Sequence, residues 1–187
     1  MSASPAEMRE RLRAIVAERS LSVGEQVRLA SGAASRFYFN MKETMFDPEG
    51  ASLVADLVLD ALAGDAPDYV GGLEMGAVPI VACVSQRSFQ LGRPVTGFFV
   101  RKEVKDHGTK RRIEGTLEAG RRAVILEDVT TTGGSALQAV EAARAAGVSV
   151  AKVVTIVDRL EGAGARLAAH GLALVALLTA RDFQLEA

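Results

Sequence analysis

The stretch of sequence that decides the fold is Val124-Ile125-Leu126-Glu127-Asp128-Val129-Thr130-Thr131-Thr132-Gly133-Gly134-Ser135. It begins with an apolar run without strict alternation, which is typical of a strand buried on both faces of a parallel sheet. Two adjacent acids end the run, and a loop of hydroxyl residues and glycines then leads into a helix-forming segment. Ligands of open α/β sheets bind beyond the carboxyl ends of strands, so this loop is a predicted binding site.

The chemistry of this loop suits an anion. Glycines let the backbone approach closely, and the N–H groups of the following helix can donate to a phosphate, as can the loop hydroxyls. Glu127 and Asp128 would repel phosphate and suit neighbouring sugar hydroxyls, or a metal bridged through them. The pattern therefore predicts a phosphorylated sugar, with an ordinary strand and capped helix as the alternative.

Two other phosphate motifs do not fit the chain. A P-loop requires a lysine just before its serine or threonine, and no lysine lies between Arg122 and Lys152. A dinucleotide-binding fingerprint requires Gly-x-Gly-x-x-Gly directly after a strand, and Gly133-Gly134 does not provide it.

The rest of the chain predicts a doubly wound α/β fold. From residue 68, β-prone runs (68–71, 95–100, 123–127, 150–157, 172–178) alternate with helical segments (78–87, 133–146, 162–170). Upstream, Ser4-Pro5 and Asp47-Pro48 are typical helix starts, and Gly64 is the expected end of the second helix. Between them, 27–42 is predicted to be a hairpin or small hood. We expect one domain over residues 1–187, with about 20–45 in the hood.

Composition excludes several classes of protein. The 22 basic and 23 acidic residues give a net charge of −1, which argues against a surface-wide nucleic-acid footprint. The single cysteine, Cys83, excludes an intramolecular disulfide framework and a cysteine-based zinc cluster. The longest apolar stretch, 172–178, is far shorter than the roughly 20 residues of a membrane span, and the N-terminus has no secretory pattern. We therefore expect a cytoplasmic protein with neither membrane nor nucleic-acid partners.

One segment concentrates positive charge. Residues 101–115 hold six basic and three acidic side chains, a net charge of +3 in a chain of −1. Such a segment can stabilise a departing polyphosphate, and Gly108 and Gly115 would let it move as a lid that excludes water. His107 could donate a proton or hydrogen bond to the leaving group. A solvated surface loop is the alternative.

Residues 124–137 resemble the phosphoribosyl-pyrophosphate motif of the type I phosphoribosyltransferases. Other segments resemble the orotate-specific members of that family, in the family's order along residues 20–165. They are 31–32 with 36–40 (hood), 71–79 (pyrophosphate loop), 101–108 (catalytic loop) and 158–162 (base-contacting arginine). The Arg-Lys-x-x-Lys-x-His-Gly pattern of 101–108 narrows the resemblance to the orotate-specific members.

The resemblance implies a central, mostly parallel sheet flanked by helices, with a small N-terminal hood. It also implies transfer of ribose 5-phosphate from phosphoribosyl pyrophosphate to orotate, which gives orotidine 5′-phosphate and pyrophosphate in pyrimidine (UMP) synthesis. Mg²⁺ would be carried by phosphoribosyl pyrophosphate, with no direct protein ligand. The enzyme would be a homodimer in which Lys102 reaches into the partner's site.

Site residues follow from the same matches. Contacts to phosphoribosyl pyrophosphate are expected from Glu127, Asp128, Val129, Thr130, Thr131, Thr132, Gly133, Gly134 and Ser135. Catalytic contacts to pyrophosphate are expected from Arg101, Lys102, Lys105 and His107. Orotate contacts are expected from Thr131 and Arg159, because arginine binds carboxylates bidentately, although a surface pair with Asp158 or Glu161 is the alternative. The aromatic run 37–39 could cover the base or belong to the core.

Two alternative functions remain at this stage. One is a phosphoribosyltransferase for another base, such as a purine. The other is a non-catalytic regulator that senses phosphoribosyl pyrophosphate and binds RNA or DNA. The basic lid argues against the regulator, because a sensor has no leaving group to stabilise.

Overall fold

The computed structural model describes residues 3–28, 34–103 and 112–185. Its strands are β1 (Leu21–Arg28), β2 (Ala34–Phe39), β3 (Tyr69–Leu73), β4 (Thr96–Val100), β5 (Ile113–Glu114), β6 (Arg122–Thr130), β7 (Ser149–Asp158) and β8 (Ala173–Thr179). Its α-helices are α1 (Pro5–Arg19), α2 (Met41–Met45), α3 (Pro48–Ala61), α4 (Ala77–Gln90), α5 (Gly134–Ala145) and α6 (Ala163–Ala168). A 3₁₀ turn, Ala180–Phe183, follows β8. Within these residues, no helix has both the length and the apolar character to cross a membrane.

A six-stranded sheet in the order β5-β4-β3-β6-β7-β8 forms the centre of the fold. All of its pairings are parallel except that of β5 with β4. Each β-prone run and helical segment predicted after residue 68 is present, with bounds shifted by a few residues. The predicted α/β class with a mostly parallel sheet flanked by helices is confirmed.

Strand β6 contributes to a hydrophobic core on each face of the sheet. Val124 and Leu126 pack into the core that includes α1, α3 and α4. Ala123 and Ile125 pack into the core that includes α5 and α6. Apolar residues do not alternate with polar ones in this run because, as predicted, the parallel strand is covered on both faces and its apolar side chains are buried on either side.

The two predicted helix starts are present. Ser4 and Glu7 form a reciprocal capping box at α1, and the Asp47 side chain accepts the N–H of Gly50 at α3. The expected end of α3 at Gly64 is wrong, because the helix ends at Ala61 with Leu62 as its C-cap. A glycine marks a helix end only where the chain adopts the left-handed conformation, and Leu62 closes this helix in a right-handed one (φ −95°).

The predicted hairpin consists of β1 and β2, which pair antiparallel from Leu21↔Phe39 to Arg28↔Ala34. It begins earlier than expected, directly after α1. Phe37 and Phe39 are buried in the core, and Tyr38 between them is exposed. The Ser31-Gly32 turn signal lies outside the described residues.

Two consecutive glycines belong to β3, which extends to Leu73 and does not end at Gly71 as expected. The ring of Phe98 occupies the space that a Cβ on Gly71 would need. A Cβ on Gly72 would overlap the Leu126 carbonyl oxygen and the Ala77 Cβ. These glycines therefore serve close packing of β3 against its neighbours, and the loop proper begins after them.

Gly72→Ala is expected to lower the free energy of unfolding by about 1–3 kcal/mol, because the added methyl group meets backbone that cannot move aside without disturbing β6. Denaturant unfolding followed by circular dichroism measures the change. Gly164→Ala is the matched control: a Cβ there meets open space in α6, so stability is expected to stay equal or rise. Equal stability of Gly72→Ala and wild type would contradict the packing argument.

Candidate active site

A cavity of about 310 Å³ lies at the carboxyl edge of β3, β6 and β7. Seven of the predicted site residues line it: Lys102, Glu127, Asp128, Val129, Thr131, Ser135 and Arg159. The other lining residues are Tyr38, Phe39, Lys42, Leu73, Glu74, Met75 and Gly76. A larger groove of about 520 Å³ beside α4 and β4 is mainly apolar, and Glu114 is its one ionisable lining residue among the described ones. Convergent charge therefore identifies the smaller cavity as the candidate site.

The acidic pair closes the end of β6. Glu127 is buried, and its Oε1 accepts the N–H of Asp128 at 3.3 Å, while Asp128 Oδ1 accepts the N–H of Val129 at 2.8 Å. Glu127 Oε2 is buried and has no hydrogen-bond partner among the described residues. Burial raises the pKa of Glu127 well above its usual value, the neighbouring Asp128 raises it further, and Lys102 opposes both effects. A buried acceptor without a donor is suited to a hydroxyl that arrives with a ligand.

Glu127→Gln is expected to stabilise the ligand-free protein at neutral pH. The raised pKa means that the folded state binds a proton more tightly than the unfolded state, so wild-type stability falls as pH rises from about 4.5 through that pKa. The glutamine amide carries no charge, so the variant does not lose stability as the pH rises. The gain should therefore be present at neutral pH and shrink toward pH 4.5 in thermal unfolding across pH. Glu141→Gln, on the exposed side of α5, controls for charge removal, and an equal effect of both changes would contradict the burial argument.

The loop after β6 presents the start of α5 to the cavity. Gly133 has φ +77° and precedes α5, whose first N–H groups receive no side-chain cap in the described chain. Thr131 and Ser135 line the cavity. The cavity is not lined by three other predicted residues of this loop, Thr132, Gly133 and Gly134. The Thr132 carbonyl accepts a hydrogen bond from Arg166 Nη1 at 3.5 Å. The hydroxyl of buried Thr130 donates to Asp158 Oδ1 at 3.2 Å, and Thr130 does not line the cavity.

Arg159 is 2% exposed and lies against both the hairpin and its own turn. Its Nε donates to Glu161 Oε1 at 2.8 Å, and its Nη1 donates to the Phe37 carbonyl at 3.3 Å. The guanidinium carbon lies 4.2 Å from the centre of the Phe37 ring. Both readings of the sequence are present together: Arg159 lines the cavity, and it also pairs with Glu161, whose side chain is partly exposed.

The predicted catalytic cations fall in different places. Lys102 lines the cavity, and its backbone N–H donates to Glu74 Oε1 at 3.0 Å. Arg101 is outside the cavity and forms an ion pair with Glu114 through Nε (2.9 Å) and Nη2 (2.8 Å). Lys105 and His107 lie outside the described residues.

Two of the lining residues, Lys42 and Gly76, were not among the predicted site residues. Lys42 on α2 lines the cavity near Tyr38, and its signal was its position as the nearest lysine after the hood segment. Gly76 lies against Asp128, and a Cβ there would be 2.5 Å from the carboxylate carbon. Nothing in a single sequence indicates such a close approach between two loops.

Comparison with known proteins shows the family to which this chain belongs. The family model of the phosphoribosyl transferase domain matches residues 45–169. The orotate phosphoribosyltransferase of Bradyrhizobium sp. (strain ORS 278) is 54% identical over 179 residues, which cover 94% of this chain and 96% of that protein. The enzyme of that name from Sorangium cellulosum is 48% identical over 187 residues, covering 98% and 96%.

A solved structure of similar shape is Mycobacterium tuberculosis orotate phosphoribosyltransferase in complex with 5-phospho-α-D-ribosyl 1-diphosphate. It has a TM-score of 0.79 and 32% identity, with 95% of this chain and 99% of that chain covered. The chain belongs to the type I phosphoribosyltransferase family. Within that family it groups with the orotate phosphoribosyltransferases, as the motifs at 101–108 and 124–137 predicted.

Proposed function

We propose that this chain transfers the ribose 5-phosphate group of phosphoribosyl pyrophosphate to orotate, forming orotidine 5′-phosphate and pyrophosphate on the route to UMP. The observation that carries the proposal is the convergence in one cavity of the acidic pair, the α5 loop and Arg159. Relatives about 50% identical over nearly the whole chain bear the name of this activity. The proposed domain spans 1–187 with about 20–45 as the hood, and the cytoplasm remains the sequence-based prediction for its location.

The proposed division of labour follows the cavity walls. The N–H groups that begin α5, with Thr131 and Ser135, hold the 5′-phosphate. Asp128 and the unpartnered oxygen of Glu127 accept hydrogen bonds from the ribose hydroxyls. Orotate lies at the end of the cavity nearest the hairpin, where Arg159 binds its carboxylate. Thr131 and Tyr38 line the same part of the cavity.

The reaction requires positioning and electrostatic stabilisation, with no covalent nucleophile. Orotate nitrogen forms a bond to the anomeric carbon while the bond from that carbon to the pyrophosphate oxygen breaks, and that electron pair leaves with pyrophosphate. The proton that the orotate nitrogen loses passes to pyrophosphate or to solvent. Positive charge develops on the sugar and negative charge on the leaving group. Lys102, with Arg101, Lys105 and His107, is proposed to stabilise the leaving group. Arg101 would first have to exchange Glu114 for pyrophosphate.

Mg²⁺ is proposed to enter with phosphoribosyl pyrophosphate. Magnesium prefers oxygen ligands and keeps several waters, and Asp128 and Glu127 line the cavity where they can act on it through the ribose hydroxyls of the substrate. The described residues contain no group of three or more histidine, cysteine or acidic side chains that could hold a metal ion. The proposed ion would therefore take its ligands from phosphoribosyl pyrophosphate and water. When bound, such an ion neutralises part of the pyrophosphate charge.

A purified-protein assay tests the activity. With Mg²⁺ and phosphoribosyl pyrophosphate, orotate absorbance is expected to fall as orotidine 5′-phosphate and pyrophosphate form in equal amounts. Product from hypoxanthine or adenine, but not from orotate, would favour a transferase for another base. Salt-dependent nucleic-acid binding without any turnover would favour the regulator.

The homodimer with Lys102 acting in trans is a second part of the proposal. The mainly apolar groove beside α4 and β4 provides a face on which a second copy can pack, and Lys102 follows β4 directly. Within one chain, Lys102 also lines its own cavity, so a role in cis is the alternative.

Mixing inactive Lys102→Ala and Asp128→Asn proteins distinguishes the two arrangements. If Lys102 acts in trans, each heterodimer has one doubly altered site and one intact site, so activity is expected to return to about half of the wild-type value per heterodimer. Subunit exchange is confirmed by mass spectrometry and turnover is measured afterwards. If Lys102 acts in cis, both sites stay defective and no activity returns.

A further inference from the structure

The turn after β7 is built around the residue that is proposed to meet orotate. Asp158 Oδ1 accepts the Thr130 hydroxyl at 3.2 Å and the N–H of Leu160 at 3.0 Å. Leu160 has φ +63°, a left-handed conformation that branched, non-glycine residues rarely adopt. A strained backbone of this kind persists only where surrounding contacts enforce it, and it clusters at functional sites.

This turn brings Glu161 back onto the side chain two residues before it. One oxygen, Oε1, lies 2.8 Å from Nε and 2.7 Å from Nη2 of Arg159. The Glu161 side chain is 25% exposed, whereas that of Arg159 is 2% exposed. Glu161 therefore approaches the guanidinium from one edge and is itself at the rim of the buried region.

The hairpin fixes the guanidinium from other directions. The guanidinium carbon lies over the Phe37 ring, 4.2 Å from the ring centre, and the Phe37 carbonyl accepts a hydrogen bond from Nη1 at 3.3 Å. Phe37 is itself buried in the core. An arginine side chain held in this way has lost its rotamer freedom before any ligand arrives, which favours binding in a single orientation.

We propose that Glu161 is a positioning residue for orotate: it orients Arg159 through two hydrogen bonds to one oxygen. This inference rests on the proposed function, which assigns Arg159 to the orotate carboxylate. Buried ion pairs contribute little net stability, so a stabilising role of the Arg159–Glu161 pair would not account for the strained backbone at Leu160. A role in orienting Arg159 explains both the strained backbone at Leu160 and the contact of one Glu161 oxygen with two nitrogens of the guanidinium.

Two substitutions separate orientation from charge. Glu161→Asp keeps the charge but shortens the side chain by one methylene, so its oxygen no longer reaches Nε and Nη2. Glu161→Gln loses the charge but keeps an oxygen at the same place. Both retain a polar group beside Arg159, which favours folding, and thermal unfolding with phosphoribosyl-pyrophosphate titration checks that each variant is folded.

Orientation predicts that Glu161→Asp raises the KM for orotate about 10-fold, whereas Glu161→Gln stays within about threefold of wild type. The KM for phosphoribosyl pyrophosphate should change by less than about twofold in both, because that substrate is proposed to bind at β6 and α5. Glu10→Ala is the matched control. It removes another local glutamate–arginine pair, that with Arg13, far from the cavity, and should leave both KM values unchanged.

The opposite order, a normal Glu161→Asp and an impaired Glu161→Gln, would assign Glu161 a charge role and overturn the inference. So would an equal rise of both KM values in Glu161→Asp. Wild-type turnover of orotate separates these results from a failure of the proposed function. Without that turnover, both the function and the inference are overturned; with it, an unchanged orotate KM in Glu161→Asp rejects the positioning role alone.

Discussion

Lys102→Ala is expected to lower kcat about 10²–10³-fold, the usual effect of removing one group that stabilises charge developing in a transition state. Lys102 lines the same cavity as the acidic pair, and its backbone is held by Glu74. Its positively charged ammonium group would stabilise the negative charge that accumulates on the departing pyrophosphate. Because that charge develops as the bond breaks, kcat and kcat/KM should fall together.

Steady-state kinetics with both substrates measures this effect. Lys152→Ala is the control lysine change: Lys152 pairs with Asp65 beside the start of the sheet and lies outside the cavity, so kcat should stay unchanged. If Lys102→Ala raised only the KM for phosphoribosyl pyrophosphate, Lys102 would bind ground-state substrate and would not stabilise the leaving group.

Arg159→Ala is expected to raise the KM for orotate about 100-fold, because it removes a buried cation that is proposed to bind the orotate carboxylate through two hydrogen bonds. The KM for phosphoribosyl pyrophosphate should remain near the wild-type value, since that substrate is proposed to bind along β6 and α5. Arg159→Lys should recover only part of the loss. A lysine supplies a point charge, but it lacks the fork geometry of arginine and the guanidinium group that lies over the Phe37 ring.

Substrate-dependent kinetics and direct titration of orotate test this expectation. Arg166→Ala is the control, because Arg166 contacts the same β6–α5 loop through the Thr132 carbonyl but does not line the cavity. If Arg159→Ala left the orotate KM unchanged, the base site would have to lie elsewhere in the cavity, with Lys42 as the remaining cation on the hairpin side.

The sequence was most informative where one local pattern had one physical cause. The apolar run of β6 needs cover on both faces, and the two cores provide it. The acids and glycines that follow had to lie at the carboxyl edge of the sheet, and seven predicted residues meet there. Strand order beyond this alternation depends on long-range pairing that no short pattern encodes.

Other features depend on neighbours distant in sequence. The sequence of the Gly71-Gly72 pair resembled a phosphate-binding loop. The structure shows that glycine is required there because the chain packs closely against Phe98 and Leu126. Arg101 belongs to a basic segment, yet its partner is Glu114 across the β4–β5 pair. In both cases the tertiary contact, and not the local composition, determines what the residue does.

The position of β6 between β3 and β7 has a consequence for which parts of the site can open. Ala123, Val124 and Ile125 pair with both β3 and β7, so their amide hydrogens should exchange with solvent only through global unfolding. The two-residue β5 lies at the sheet edge and can open locally. The carboxylates of Glu127 and Asp128, which are proposed to bind the sugar, lie on this strand just beyond the part paired on both edges, whereas Lys102 follows β4, the strand to which β5 pairs. We therefore expect retention of the sugar phosphate to depend on the stability of the central sheet, and release of the leaving group to depend on local opening of the β4–β5 edge.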